Sequence, residues 1–327
     1  MLFAWGLTMS DNLLTRVLAA LAPWQERSAW VVGFSGGLDS TVLLHVLVQA
    51  HAAQRCPPVR AVHVQHNLQA AALAWPAHCA AQCAQWGVPL TVHSVTVGHE
   101  GGLEQAARSA RYEAFQQSLN EGDALLLAQH QDDQAETVLF RLVRGSGVRG
   151  LASIPKHRLL GERDVVRPLL DIPRALLEQY AQRHDLTWVE DPTNAQSDYS
   201  RNWLRHEALP LLRQRWPQAG KAIARAASHC AEAQDLLDEV ALGDWRSIQV
   251  PAQPDWLALP VLSRTQLMAL SSARQRNVLR FWCERMGLMA PDTQHWQGFD
   301  QLLHARSDGQ ARWELTSGAW LRSGDFL

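Results

Sequence analysis

The sequence predicts an α/β chain: a parallel sheet with helices on both faces, followed by a smaller, mostly helical second domain. Short β-rich runs recur at Trp30–Phe34, Val59–Val64, Leu90–Val95 and Ala124–Ala128. Each leads into a helical stretch, at Ser40–Ala52, Ala70–Trp86, Leu103–Leu119 and Asp132–Arg144. Strand–helix–strand alternation at this spacing is the pattern of crossovers in a parallel sheet. The strands are also continuous apolar runs, as expected where both sheet faces are covered. A third observation, the change to long helical patterning after residue 215, divides the chain into an α/β domain over residues 1–215, a connector helix over 216–240 and a small domain over 241–327.

The remaining elements follow in order. Met1–Ser10 is apolar but has no basic stretch before it and no small-residue cleavage site, so it reads as an ordinary leader, with Met9 an alternative start, and not as a signal peptide. A fifth strand is expected near Val165–Pro168, and Pro173 is well placed to open a helix. Asp191-Pro192-Thr193-Asn194 is turn chemistry inside an otherwise polar segment. A long helix runs from Ala219 to about Val240, Leu257–Gly287 reads as helical, and Trp313, Leu315 and Leu321 with Gly318 near the turn predict a terminal hairpin.

Composition bounds the class. The chain has 327 residues, 47% of them hydrophobic, enough for a packed core. No apolar run reaches the roughly 20 residues of a membrane helix, so a cytoplasmic protein with no membrane association is expected. The five cysteines, at positions 56, 79, 83, 230 and 283, include no pair with the two-residue gap of a zinc or redox site. Charge is unevenly spread: residues 1–139 hold 6 basic and 11 acidic side chains, residues 140–215 hold 13 and 9. The middle region is therefore where a polyanion is expected to touch, and arginine supplies 28 of the 30 basic residues, which suits bidentate phosphate contacts. The connector helix and small domain are compatible with a homodimer.

The first strand runs directly into Ser35-Gly36-Gly37-Leu38-Asp39-Ser40, and a helix starts there. Glycines let the backbone approach an anion, and free amides at a helix start point toward it. Capping by Ser35 or Ser40 explains one or two of these residues but not two adjacent glycines as well. No lysine is present, so this is not a Walker A loop, and a Rossmann Gly-x-Gly-x-x-Gly is absent. A second constellation follows the fourth strand: His130, Asp132, Asp133 and Glu136, spaced so that helical winding gathers them near one face. Carboxylates beside a phosphate loop suit a Mg²⁺ ion or the binding and deprotonation of an amine.

The hexapeptide resembles the signature loop of the PP-loop ATP pyrophosphatases, which cleave ATP between the α and β phosphates. The run His130–Thr137, followed by Arg144-Gly145-Ser146-Gly147-Val148-Arg149-Gly150-Leu151, resembles the tRNA(Ile)-lysidine synthetase family. Further matches are His63-Val64-Gln65-His66, Glu104-x-x-x-Arg108-x-x-Arg111-Tyr112, Arg167-Pro168-Leu169-Leu170, Asp191–Asn194 and Arg201-Asn202 with Arg205. The likeness covers about residues 29–215. Asn67 departs from it, standing where members commonly have glycine, and the chain ends at Leu327 where longer members carry a further C-terminal domain.

The resemblance implies an adenine nucleotide α-hydrolase-like fold and a two-step reaction. O2 of the wobble cytidine of isoleucine tRNA (CAU anticodon) attacks the ATP α-phosphate, and the ε-amine of free L-lysine then displaces AMP at C2. It implies that Ser35, Gly36, Gly37, Leu38, Asp39 and Ser40 hold ATP and that Asp39, with Asp132, holds Mg²⁺. By the same likeness Asp39, His130, Asp133, Glu136 and Arg111 serve catalysis, Asp133 and Glu136 both being candidate bases. Arg111, Arg201 and Arg205 are candidates for phosphate or base contacts, each with a structural ion pair as the alternative. Arg144 and Arg149 fall in a basic glycine-rich loop near the tRNA. The alternative function is a PP-loop tRNA cytidine thiolase, disfavoured because the Cys-x-x-Cys pairs of its common form are missing. An amide ligase such as NAD synthetase would share only the first loop, and a non-catalytic nucleotide- or tRNA-binding module would not need the intact acidic cluster.

Overall fold

The computed structural model describes residues 9–65, 73–96, 103–191, 200–250, 261–291, 295–305, 311–315 and 318–327. His66, Asn67, Pro192, Thr193 and Asn194 lie outside the described residues. The chain divides into two compact units, Met1–Ala231 and Glu232–Leu327.

The first unit begins with helix α1 (Met9–Leu21) and then alternates: β1 (Ala29–Gly33), α2 (Leu38–Ala52), β2 (Val59–Gln65), α3 (Trp75–Gln85), β3 (Leu90–Ser94), α4 (Leu103–Ser118), β4 (Asp123–Leu126) and α5 (Gln131–Val143). A one-turn helix α6 (Val148–Leu151), strands β5 (His157–Leu160) and β6 (Arg163–Val166), and α7 (Arg174–Arg183) follow. The sheet order is β3-β2-β1-β4-β6-β5, parallel except for the β5 edge, which pairs antiparallel with β6. The sequence-predicted single strand at Val165–Pro168 is thus the second arm of a hairpin, whose turn contains Gly161 at φ +59. The α/β expectation of a mostly parallel sheet with helices holds.

Both faces of the sheet are covered, which is why its central strands are apolar throughout. Trp30 and Val32 of β1, with Leu126 of β4, point into a core filled by Leu13 and Val17 of α1, Leu43 and Leu47 of α2, Cys79 and Cys83 of α3, and Leu177 of α7. The intervening Val31 and Leu125 point to the other face, against Phe115 and Leu119. Period-two alternation therefore divides each strand between two cores. After β1 the chain moves outward through β2 and β3, then returns to place β4 on the other side of β1. The gap between the carboxyl ends of β1 and β4 is a topological switch point, where open α/β sheets bind ligands.

Beyond α7 come α8 (Ser200–Trp203), a π-helical turn at Leu204–Ala208, α9 (Leu209–Arg215) and the 30-residue helix α10 (Ala219–Ile248), within which the division into units falls. The second unit adds α11 (Arg264–Ala269), α12 (Ser272–Arg285), α13 (Trp296–His304) and the hairpin β7 (Arg312–Leu315)–β8 (Gly318–Leu321). The single helical stretch read at Leu257–Gly287 is two helices, and its first residues lie outside the described ones. Most tryptophans of this unit are core: Trp245 stacks on Trp282 at 5.7 Å, Trp282 meets Trp320, and Trp313 packs on Phe299.

Candidate active site

The loop after β1 is held open by its own backbone. Gly36 sits at φ +82, a conformation disfavoured for L side chains, and a Cβ there would lie 2.9 Å from Cys79 Sγ and 3.2 Å from Val189 Cγ2. Val189 N donates to Gly36 O at 2.9 Å, so the segment after α7 clasps the loop from outside. Ser40 Oγ donates to Gly37 O at 3.1 Å and accepts from Ser35 N at 3.2 Å, while Thr41 Oγ1 donates to Gly36 O. Gly37 is the N-cap of α2, and no side chain caps that end. The first-turn amides of α2 therefore keep the unmet donors and partial positive charge that suit an anion. The serines fold the loop and do not cap the helix.

The helix after β4 begins on an unusual cap. His130 Nδ1 accepts from Asp132 N (3.2 Å) and Asp133 N (3.4 Å), and Asp133 Oδ2 accepts from His130 N at 3.0 Å, a reciprocal capping box. That cap turns Nε2 of the buried imidazole toward two carboxylates, 3.6 Å from Asp39 Oδ2 and 3.5 Å from Asp133 Oδ2. His130 thereby joins the phosphate loop to the acidic helix across the switch point. Burial lowers its pKa, but Asp39, Asp133 and Asp132 outweigh burial and draw it up. The cap opposes full protonation, because Nδ1 accepts amides only while it carries no proton.

Guanidiniums fill the rest of the site. Arg205, on the π-helical turn, grips Glu136 with both ends, Nε to Oε1 at 2.6 Å and Nη2 to Oε2 at 2.9 Å, and reaches Asp133 Oδ1 at 3.2 Å. Arg201 Nη2 donates to Thr137 Oγ1 at 2.8 Å and its Nε lies 3.5 Å from Glu136. Arg213 holds Asp132 at 2.8 Å. Burial is the largest influence on fully buried Glu136, pushing its carboxyl up; Asp133 adds to this, while Arg205 and Arg201 pull it back, and the net shift is upward. For Asp39 burial also acts upward, but His130, Arg174 and Arg205 prevail and hold the carboxyl below its ordinary value.

The structure thus brings Asp39, His130, Asp133, Glu136, Arg201 and Arg205 into one continuous network, with Asp132 joined at its edge by its amide bond to His130 and its carboxylate held aside by Arg213. Arg111 stands on the exposed side of α4, Arg144 is exposed with its guanidinium 4.8 Å from the Phe140 ring, and Arg149 is exposed on α6. Arg213, Arg174 and Val189 were not among the sequence candidates. Arg213 and Arg174 belong to the basic 140–215 region, and that surplus was their only sequence signal.

Residues 9–212 match the PP-loop domain family, and with the loop at the switch point this defines a PP-loop enzyme that uses ATP. Residues 262–325 match the TilS substrate binding domain. The chain is 53% identical over 309 residues to the tRNA(Ile)-lysidine synthase of Pseudomonas aeruginosa, covering 94% of this chain and 70% of that protein. Against the tRNA(Ile)-lysidine synthase of Pseudomonas fluorescens it is 48% identical, covering 97% and 74%. The chain belongs to the tRNA(Ile)-lysidine synthase family, a family of ATP-dependent ligases.

Among solved structures, the U34-tRNA thiolase NcsA from Methanococcus maripaludis with its 4Fe-4S cluster superimposes with a TM-score of 0.57 at 17% identity, over 68% of this chain and 80% of that one. That likeness is one of fold. The thiolase reading is not favoured, since the relatives at high identity are lysidine synthases. The cysteines near the loop also lack reactive character: burial pushes the Cys79 thiol up to about 12 and the Cys83 thiol up to about 11.

Proposed function

We propose that this chain ligates L-lysine to C2 of the wobble cytidine of isoleucine tRNA with a CAU anticodon, through an adenylated cytidine, releasing pyrophosphate and then AMP. The observation that carries the reading is the junction made by His130, which sets the phosphate loop against Asp133 and its neighbour Glu136. Cytidine O2 attacks the α-phosphorus and the bond to the β-phosphate oxygen breaks. The α2 amides and the loop from Ser35 to Ser40 stabilise charge on the departing pyrophosphate. The lysine ε-amine then adds at C2, the C2–O2 bond breaks, AMP departs, and the amine loses its proton to a carboxylate.

Asp133 and Glu136 supply that carboxylate, as ammonium site and base. Arg205 occupies both of them, so the incoming ammonium takes over contacts that the guanidinium makes. Arg201, and Arg144, Arg149 and Arg111 on exposed surfaces, are offered as tRNA contacts.

Mg²⁺ fits one position. Asp39 Oδ1 is buried without a hydrogen-bond partner. No group of three potential ligands surrounds it among the described residues. This is the donor set of an ion bound by one or two carboxylates, phosphate oxygens and water. Asp39 would hold the ion, with Asp132 reaching it only on release from Arg213. When bound, it would neutralise charge on the leaving pyrophosphate. No helix among the described residues is long and apolar enough to cross a membrane. We place the protein in the cytoplasm, where its tRNA substrate resides.

The experiment supplies ATP, labelled lysine and unmodified isoleucine tRNA. Label entering the tRNA, with one AMP and one pyrophosphate formed per lysine, is expected. Sulfur transfer or amidation without lysine incorporation would end this reading.

A further inference from the structure

On the α4 side of the sheet, three arginines converge on Tyr112 and a fourth, Arg141, stands beside them. The guanidiniums of Arg158 and Arg108 lie 4.3 Å and 5.1 Å from the ring centroid. Arg167, only 4% exposed, directs Nη2 toward Tyr112 Oη at 3.5 Å. Arg141 lies close enough to Arg108 to feel its charge and is anchored by Nη1 to Gly150 O (2.9 Å) and Ser153 O (3.1 Å).

Among the described residues, the contacts made by these four go to neutral groups: backbone carbonyls, the Tyr112 ring and hydroxyl, and Gln129 Oε1, 3.1 Å from Arg167 Nε. No carboxylate pairs with any of them among the described residues. Arg158 Nε is buried with no acceptor. Burial first, and then the charges of Arg158 and Arg108, depress Arg167, although Tyr112 opposes them. Guanidiniums this close repel one another, and hydrogen bonds to neutral groups fix their positions without cancelling their charge. Such a cluster is complementary to a dispersed anion of the phosphate type.

We propose that Arg108, Arg141, Arg158 and Arg167 bind a phosphodiester of the tRNA backbone beside the nucleotide that enters the active site. This rests on the tRNA reading above. The loop at Ser35–Ser40 already serves the phosphates of ATP at the start of α2, which packs on the opposite face of the sheet from Tyr112. The arginine cluster instead borders the other flank: Arg167 grips Gln129, the residue before His130, and Arg141 also feels the charge of Arg201. Arg108 is exposed, so the cluster is open to a large polyanion.

The test uses Arg108→Gln, Arg158→Gln and the double variant in the full chain, sparing buried Arg167. Isoleucine tRNA affinity is measured across a salt series, with binding of a non-hydrolysable ATP analogue alongside. The double variant is expected to bind tRNA about tenfold more weakly, with a log–log salt slope shallower by about one. KM for tRNA rises more than kcat falls, the ATP analogue binds within about twofold of wild type, and Arg158→Lys restores part of the loss because it keeps the charge. Unchanged tRNA affinity and salt slope in a folded double variant overturn the proposal. A loss confined to the ATP analogue also overturns it, assigning the cluster to nucleotide phosphate. Lysidine formation by wild type in the same preparation separates failure of this site from failure of the functional reading.

Discussion

Gly36 and Glu136 show how single residues are committed by physics rather than by type. Replacing Gly36 with alanine forces a β-carbon into a left-handed conformation and against Cys79 and Val189. A loss of about 1–3 kcal/mol in stability is expected from chemical denaturation, with a larger fractional loss in ATP affinity as the loop shifts. Glu136→Gln is expected to lower kcat by about 10²–10⁴ if it is the base, and Asp133→Asn tests the other candidate in the same assay. Arg205→Gln has a different signature. Glu136 is already raised by burial, and Arg205 is the largest influence pulling it down. Its removal moves the carboxyl higher, so the acid limb of the pH–rate profile shifts toward higher pH; a limb that stays in place would show that Glu136 does not titrate in the rate-limiting step. Asp39 moves oppositely: its depressed pKa adds stability that is present above about pH 3.8 and lost as pH falls through its lower folded value.

At the scale of elements, the start of α5 does two things with one side chain. The His130 ring caps the helix through Nδ1 and faces Asp39 and Asp133 through Nε2. His130→Asn keeps a side-chain acceptor suited to an N-cap but loses the reach to Asp39. It should melt close to wild type while ligase activity collapses, whereas His130→Ala should also lose about 1 kcal/mol of stability. Near-wild-type activity in His130→Asn, with a loss only in His130→Ala, would show that capping is the whole of its role. Strands β1 and β4 were legible in the sequence because two-sided burial makes Ala29–Gly33 and residues 124–126 unbroken apolar runs. Strands β2 and β3, which carry Arg60, His63, Thr91 and His93, were legible through their alternation with helices. The edge hairpin was not, since His157–Leu160 reads as two polar residues followed by two leucines, with no strand period, and only its second arm reads as a strand. Nor was the π-helical turn carrying Arg205, because a change of hydrogen-bond register leaves no mark on composition. The loop at Ser35–Ser40 and the His130–Glu136 run were legible as local motifs, whereas the Arg205–Glu136 clamp joins residues 69 positions apart.

The whole molecule comprises two units, with their own cores. The PP-loop site lies wholly within the first, and residues 262–325 of the second match a substrate-binding domain. Shortening the chain at Ala231 is accordingly expected to leave ATP-analogue binding intact and to raise KM for tRNA at least about tenfold; loss of ATP binding in a folded fragment would contradict that division. The central claim is that ATP activates the tRNA base before lysine arrives. It is tested by incubating the chain with isoleucine tRNA and ATP labelled in the α-phosphate, with lysine withheld. The account predicts label on the tRNA, released as AMP when lysine is added, and none on the tRNA with Asp39→Asn. Label that never reaches the tRNA, or that leaves as ADP, would contradict it.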